Sequence, residues 1–216
     1  MNRTEVQEAL RKNRIIVALR GLTAEELVPT AKALYEGGIR MLEITFDQAD
    51  PDRLKTTPAG IALMKETFGN QLLIGAGTVV DEKHAEAAIG AGAEFLLSPN
   101  ASLRMIEAAG ARDVGTIPGA LTPTEIYAAW EAGAAVVKLF PVGNFGPAYV
   151  KAISAPLAGI PFLGMGGINE KNMLEYLALP QMIGIGVGAG IAKLPLIREG
   201  RWAELTALAK SYTEQF

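Results

Sequence analysis

The sequence predicts an α/β protein, a (β/α)8 TIM barrel with an N-terminal helix, formed as a single domain over residues 1–216. Three observations predict it. Eight short apolar, β-branched runs recur from end to end. Amphipathic stretches rich in Ala, Glu, Lys and Leu lie between them. One unit, a helix stopped by glycine and followed by a strand, is copied in EGGIRMLEITF, GAGAEFLLSP and EAGAAVVKLFP. Strands alternating with helices and no long linker fit a barrel near the small end of its size range. A doubly wound open sheet is the second reading. The repeat continuing to the C-terminal end and two glycine-rich late turns favour closure.

Taken in order, MNRTEVQEALRKNR is charged and helical in pattern and makes the N-terminal helix. The strands follow as IIVALR (15–20), MLEITF (41–46), LLIGAGT (72–78), EFLLSP (94–99), VGTIPG (114–119), AVVKLFP (135–141), PFLGMGG (161–167) and MIGIGVG (182–188). Their near-continuous apolarity, rather than clean alternation, marks parallel strands buried on both faces. The stretches between them, such as TAEELVPTAKALYEGG, DEKHAEAAIGAG, SLRMIEAAG and TPTEIYAAWEAG, open near Ser, Thr or Asp and close at Gly, as helix capping requires.

Composition narrows the chemistry. At 50% hydrophobic and 20% charged, the 216 residues hold material for one sizeable core, which excludes disorder. With no Cys, disulfides, thiolate zinc sites and cysteine nucleophiles are all excluded. A formal charge of −3 with scattered basic residues lacks the footprint of a nucleic-acid binder. Neither a signal-type apolar segment nor a run long enough to cross a bilayer is found, so the expectation is a cytoplasmic protein with no membrane partner. No stretch has metal-ligand spacing, and no metal or cofactor is expected.

The repeats also give a register. Counting five residues past Gly38, Gly92 and Gly133 lands on Glu43, Leu97 and Lys138; seven past lands on Thr45, Pro99 and Phe140. Side chains repeat every second residue along a strand, so both sets share a face. Alternate strands of a barrel feed the same interior layer, which puts Glu43 and Lys138 into one layer near the C-terminal mouth.

Lys138 sits in VVKLF, where a solvated ammonium is least expected. Desolvation lowers its pKa and frees a nucleophilic amine, the requirement for a Schiff base with a carbonyl. The alternative is a lysine that snorkels to water or pairs structurally with Glu43. Glu43 is the natural general acid/base of an imine mechanism, or else a counter-ion. Arg20 and Thr78 end their strands at the same rim, placed to hold a carboxylate. Gly164, Gly166 and Gly167 follow strand seven, with Asn169 as an N-cap. Gly184, Gly186, Gly188 and Gly190 mark the turn after strand eight. The loops after these two strands are where such barrels cradle phosphate; tight turns alone are the other reading. Residues 184–189 also match G-x-G-x-x-A, but only about 27 residues follow, too few to complete a dinucleotide-binding βαβ unit. His84, the sole histidine, lies in the polar stretch DEKHAEAA and reads as a surface residue.

In combination, RIIVALR, LEITF, IGAGT, EFLLSP, TIPGALTPTEI, VVKLFP, GPAYVKAISAPL, MGGI and IGVGAG make the chain resemble the 2-keto-3-deoxy-6-phosphogluconate (KDPG)/4-hydroxy-2-oxoglutarate (KHG) aldolases, class I pyruvate aldolases of the Entner–Doudoroff pathway of carbohydrate metabolism. The resemblance implies a homotrimeric (β/α)8 barrel and a carbon–carbon lyase that releases pyruvate from a phosphorylated keto acid. It further implies that Lys138 forms the Schiff base and Glu43 moves protons. Arg20 and Thr78 would hold the pyruvyl carboxylate, Pro99 and Phe140 would wall the pocket, and Gly166, Gly167 and Gly188 would cradle phosphate.

Three positions depart from the family pattern. Asp47 stands where many members have Arg, Met165 precedes the paired glycines in place of Thr, Val or Pro, and Ala189 replaces a Ser. Loss of one hydrogen bond to a charged phosphate costs about 1.5–3 kcal/mol, enough to shift substrate preference but not to abolish the chemistry. Two other functions fit the same residues: a phosphosugar isomerase or epimerase with Glu43 as base, and a catalytically silent scaffold barrel.

Overall fold

A computed structural model describes residues 1–216 and shows an all-parallel sheet rolled into a barrel with helices outside. Helix α1 (Arg3–Asn13) leads into β1 (Ile15–Leu19), α2 (Ala24–Glu36), β2 (Met41–Thr45), α3 (Arg53–Phe68), β3 (Leu73–Gly77), α4 (Glu82–Gly90), β4 (Leu96–Leu97) and α5 (Leu103–Gly110). Then come β5 (Thr116–Ile117), β6 (Gly119–Ala120), α6 (Pro123–Glu131), β7 (Val137–Leu139), a 3-10 turn at Val142–Asn144, α7 (Gly146–Ser154), β8 (Phe162–Met165), α8 (Met173–Leu177), β9 (Met182–Val187), α9 (Leu194–Arg198) and α10 (Trp202–Thr213).

The expected fifth strand is thus two short pieces, because Pro118 between them has no N–H to place in the ladder. The sheet runs β5-β4-β3-β2-β1-β9-β8-β7-β6. β5 pairs with β4 and β6 with β7, so the two pieces are the two edges of one barrel strand. Hydrogen bonds from Ala135 N to Thr116 O (2.9 Å) and from Lys138 N to Pro118 O (2.8 Å) complete the closure. Proline also explains why β4 and β7 are shorter than expected: each ends just before a segment carrying Pro99 or Pro141.

Two cores follow from the alternation of side chains. The outer, 49 buried residues, lies between strands and helices and takes Val17, Leu42, Ile44, Leu96, Val137 and Leu139. The inner, 11 residues, fills the barrel and takes Ile16, Met41, Leu97, Val136, Leu163 and Ile183. Val6 and Leu10 of α1 belong to the inner core, so α1 closes the end where the strands begin. Gly115 N donates to Met1 O (2.8 Å) and Gln7 Nε2 to Ala135 O (2.8 Å), both just ahead of strands. The helix starts on a capping box: Asn2 accepts from Glu5 N, and the Glu5 carboxylate accepts from Asn2 N.

His84 is not a surface residue. It is 4% exposed, its Nδ1 lies 2.6 Å from Asp81 Oδ1, and its ring meets Phe46 edge-on at 4.8 Å between centroids. Asp81 caps α4 by accepting from His84 N (3.0 Å), which fixes the phase of the helix so that His84, Ala85 and Ala88 face the strands. The polar letters around His84 mask this inward face. Asp81→Ala removes cap and imidazole partner together. The expected result is a loss of about 1–2 kcal/mol, read from the urea midpoint.

Candidate active site

Glu43 and Lys138 follow Met41 and Val136 at two-residue spacing, so strand alternation turns both into the barrel above the inner core. They are 2% and 5% exposed, in keeping with the register read from the three glycines. Burial pushes the Lys138 amine below the usual lysine range; the Glu43 charge pulls it back up and Arg20 adds a downward push. For Glu43 the senses reverse: burial raises its carboxyl, while Lys138 and Arg20 lower it. The two make no direct ion pair within 4.0 Å, and Glu43 Oε2 is buried with no hydrogen-bond partner. An amine and a carboxyl, each pushed toward its neutral form and separated by a gap, suit proton transfer to a third body between them.

Sequence reading passed over Gly77. A Cβ there would run into the Glu43 carboxylate and lie 2.8 Å from Thr45 Cγ2, so the glycine of IGAGT is the space the carboxyl occupies. The next residue, Thr78, has φ +58°, a conformation that β-branched residues rarely take. Its Oγ1 accepts from Arg20 Nη2 at 3.0 Å, which joins the ends of β1 and β3. The two residues expected to hold a carboxylate are therefore together.

Phe140 links the amine to the late glycine turns. Its ring centroid is 4.8 Å from Lys138 Nζ, and the same side chain lines a cavity of about 340 Å³ with Gly166, Gly167 and Gly188. Gly166 and Gly167 have φ +85° and +84°, a left-handed backbone that only glycine takes freely. The N–H groups of Gly166, Gly167, Ile168, Gly188, Ala189 and Gly190 donate to no protein acceptor. The cavity is lined by no charged side chain and no hydroxyl; Met165 fills the space left by Gly186, where a Cβ would lie 2.7 Å from its Sδ.

Some expectations are corrected or placed elsewhere. Asn169 does not cap the following helix: its Oδ1 accepts from Lys171 N (2.9 Å), and α8 begins only at Met173 with Asn172 at the N-cap position. A local Asx turn has taken its side chain. Pro99 ends β4 at the rim, with its carbonyl pressed against Gly119, and is not part of the Phe140 cavity. Asp47 accepts from Ala49 N (2.9 Å) and lines a different and larger cavity of about 660 Å³. That cavity, between α2, α3 and the ends of β1 and β2, holds Leu19, Leu27 and Ile44 but neither Lys138 nor Glu43.

Comparison with known proteins places the chain in a family. The family described as KDPG and KHG aldolase matches residues 6–208. A 2-dehydro-3-deoxy-phosphogluconate aldolase of Treponema pallidum is 35% identical over 94% of this chain and 93% of its own length. A 2-dehydro-3-deoxy-6-phosphogalactonate aldolase of Escherichia coli is 30% identical over 93% of this chain and 95% of its own. The KDPG aldolase of Legionella pneumophila, solved with pyruvate captured as a covalent carbinolamine intermediate, superimposes with a TM-score of 0.86 at 30% identity, covering 96% of this chain and 97% of that one. With the family profile spanning nearly the whole barrel and relatives at this identity over most of their length, the chain belongs to the KDPG and KHG aldolase family of carbon–carbon lyases.

Proposed function

We propose that the protein is a class I aldolase that reversibly cleaves KDPG to pyruvate and glyceraldehyde 3-phosphate, and 4-hydroxy-2-oxoglutarate to pyruvate and glyoxylate. The observation that carries this reading is the buried Lys138 amine facing the buried Glu43 carboxyl beside an amide-lined cavity. The neutral amine attacks the C2 carbonyl to give a carbinolamine, and loss of water leaves a protonated imine. Glu43, directly or through one water, takes the proton of the C4 hydroxyl. The C3–C4 bond then breaks, its electron pair moves into the imine to form an enamine, and the aldehyde departs. Return of a proton to C3 and hydrolysis release pyruvate and the free amine. Arg20, held by Thr78, pairs with the substrate carboxylate, and the free amides of the two glycine turns take the phosphate.

The Legionella enzyme's covalent pyruvate intermediate supports the Schiff-base step, and the two relatives leave gluconate and galactonate series in competition. Leu103, Tyr127 and Phe145, all exposed and carried on or beside three consecutive helices, support self-association through this face, with a homotrimer as the proposed working form. A place in the cytoplasm belongs to the same proposal; no helix is long and apolar enough to cross a membrane.

One set of assays tests the reading. Pyruvate release is measured side by side from KDPG, its C4 epimer and unphosphorylated 4-hydroxy-2-oxoglutarate, and pyruvate is trapped on the protein with borohydride. The expected result is cleavage of all three, with kcat/KM highest for KDPG, and one reduced pyruvyl adduct on Lys138. A folded protein without an adduct sinks the covalent mechanism. Turnover highest for the C4 epimer reassigns the substrate alone.

A further inference from the structure

We infer that Tyr212 and Glu170 set the preference for a phosphorylated over an unphosphorylated substrate, acting from outside the pocket as positioning residues for its two amide turns. The inference rests on reading the amide-lined cavity as the phosphate end of the site. Neither residue lines that cavity, yet both turns meet at them. Glu170 follows directly on Gly166–Asn169, the turn after β8, and its Oε2 accepts from Tyr212 Oη at 3.0 Å. Gln215 Nε2 donates to the Glu170 carbonyl at 3.1 Å, so the C-terminal segment grips this turn twice. On the other side, a Cβ on Gly190 would lie 3.0 Å from the same Tyr212 Oη. The absence of that Cβ lets the turn after β9 come down onto the phenol. One fully buried hydroxyl therefore bonds one arm of the cradle and sits where a Cβ on the other arm would meet it.

The helix that carries it is itself anchored. Thr206 Oγ1 donates to Ala33 O (2.9 Å) and Thr213 Oγ1 to Gly37 O (2.7 Å), which ties α10 directly to α2. Tyr212 thus transmits the position of a fixed helix to two turns whose six amides have no protein acceptor. Charge gives the contact a second effect. The Glu170 carboxyl is held below its ordinary range, by its own backbone amide and then by the Tyr212 hydroxyl, with Lys171 and Lys193 also lowering it. It is an anion close to an anion site, and the phenol and the two lysines occupy and offset it. Burial, and then the hydrogen bond and charge of Glu170, push the Tyr212 phenol up to about 12, so the phenol stays a donor through neutral pH.

The test compares Tyr212→Phe with the unaltered enzyme on KDPG and on 4-hydroxy-2-oxoglutarate, with inorganic phosphate as a competitive inhibitor of the unphosphorylated reaction. Coupling of this kind predicts KM for KDPG and Ki for phosphate raised roughly five- to tenfold. kcat on both substrates, and KM for the unphosphorylated one, stay within about twofold. Glu170→Ala, which breaks the same bond from the loop side, reproduces the effect if Tyr212→Phe folds poorly. Glu170→Gln keeps an acceptor for the phenol and removes the neighbouring negative charge, so its phosphate Ki is unaltered or lower and never raised. A merely structural role lowers Tm and leaves the ratio of the two KM values unmoved, which overturns the inference. If the unaltered enzyme shows neither phosphate inhibition nor preference for the phosphorylated substrate, the cradle reading and the inference fall together. If it shows both and the variants keep them, the inference alone falls.

Discussion

Lys138→Met is expected to abolish turnover, by on the order of 10⁴-fold or more, while leaving a fold slightly more stable than the parent. Without an amine no imine forms, and Glu43 faces a ketone with no electron sink, so the borohydride adduct disappears with the activity. The stability gain follows from the sign of the linkage. Burial holds the Lys138 pKa below its unfolded value of 10.5, so the unfolded chain binds the proton more tightly. That penalty is fully present below the folded pKa, fades as pH rises toward 10.5, and is absent in a methionine of similar shape. Against it stands the lost attraction of Glu43, but burial is the larger influence on both groups and no direct ion pair is broken. A gain of about 1–2 kcal/mol, or roughly 2–8 °C in Tm for a chain of this size, is the outcome to look for by calorimetry near pH 7. A Tm drop would mean that the attraction outweighs burial.

Glu43→Gln separates the two halves of the chemistry. Gly77 already leaves space for the side chain, and the amide is nearly isosteric with the carboxyl, so the pocket keeps its shape. Loss of general acid/base transfer costs about 10²–10⁴ in kcat. The amine is untouched, so pyruvate should still be trapped on Lys138 by borohydride. Exchange of the pyruvate methyl protons with deuterated water, followed by NMR, should slow in step with kcat. Equal loss of adduct and turnover would make Glu43 a group that merely sets the amine's protonation. Glu43 has a raised pKa, so its contribution to stability is present below 4.5 and lost as pH rises through its folded value. Glu43→Gln should therefore resist denaturation better than the parent at neutral pH, and no better in acid.

The barrel and the inward placement of Glu43 and Lys138 were legible because the helix stops are a backbone requirement. Gly38, Gly92 and Gly133 have φ +92°, +92° and +101°, so each occupies the same left-handed position and the count from it to the strand is constant. Strand ends were less legible, since Pro118 divides a strand between two neighbours and only the closed sheet shows why. His84 was misread because its helix phase is set by Asp81, a local hydrogen bond hidden inside a polar stretch. Asn169 was misread for the converse reason: a turn two residues long captured a side chain that composition assigned to a helix. The role of Gly77 has no local signal at all, as its partner lies 34 positions earlier and meets it only across a barrel interior.

The division of the interior into two cores bears on how such a site can change over generations. The apolar packing lies mostly in the 49-residue layer outside the strands, and the barrel's own filling is confined to 11 residues toward the end plugged by α1. The mouth contributes little cohesion, and its two charged groups detract from it. Variation at Met165 or Ala189, which line the cavity but lie outside the 49-residue layer, can then reshape the pocket without drawing on the packing that keeps the chain folded. A lineage under selection for a new acceptor could explore many pockets while its scaffold stayed the same.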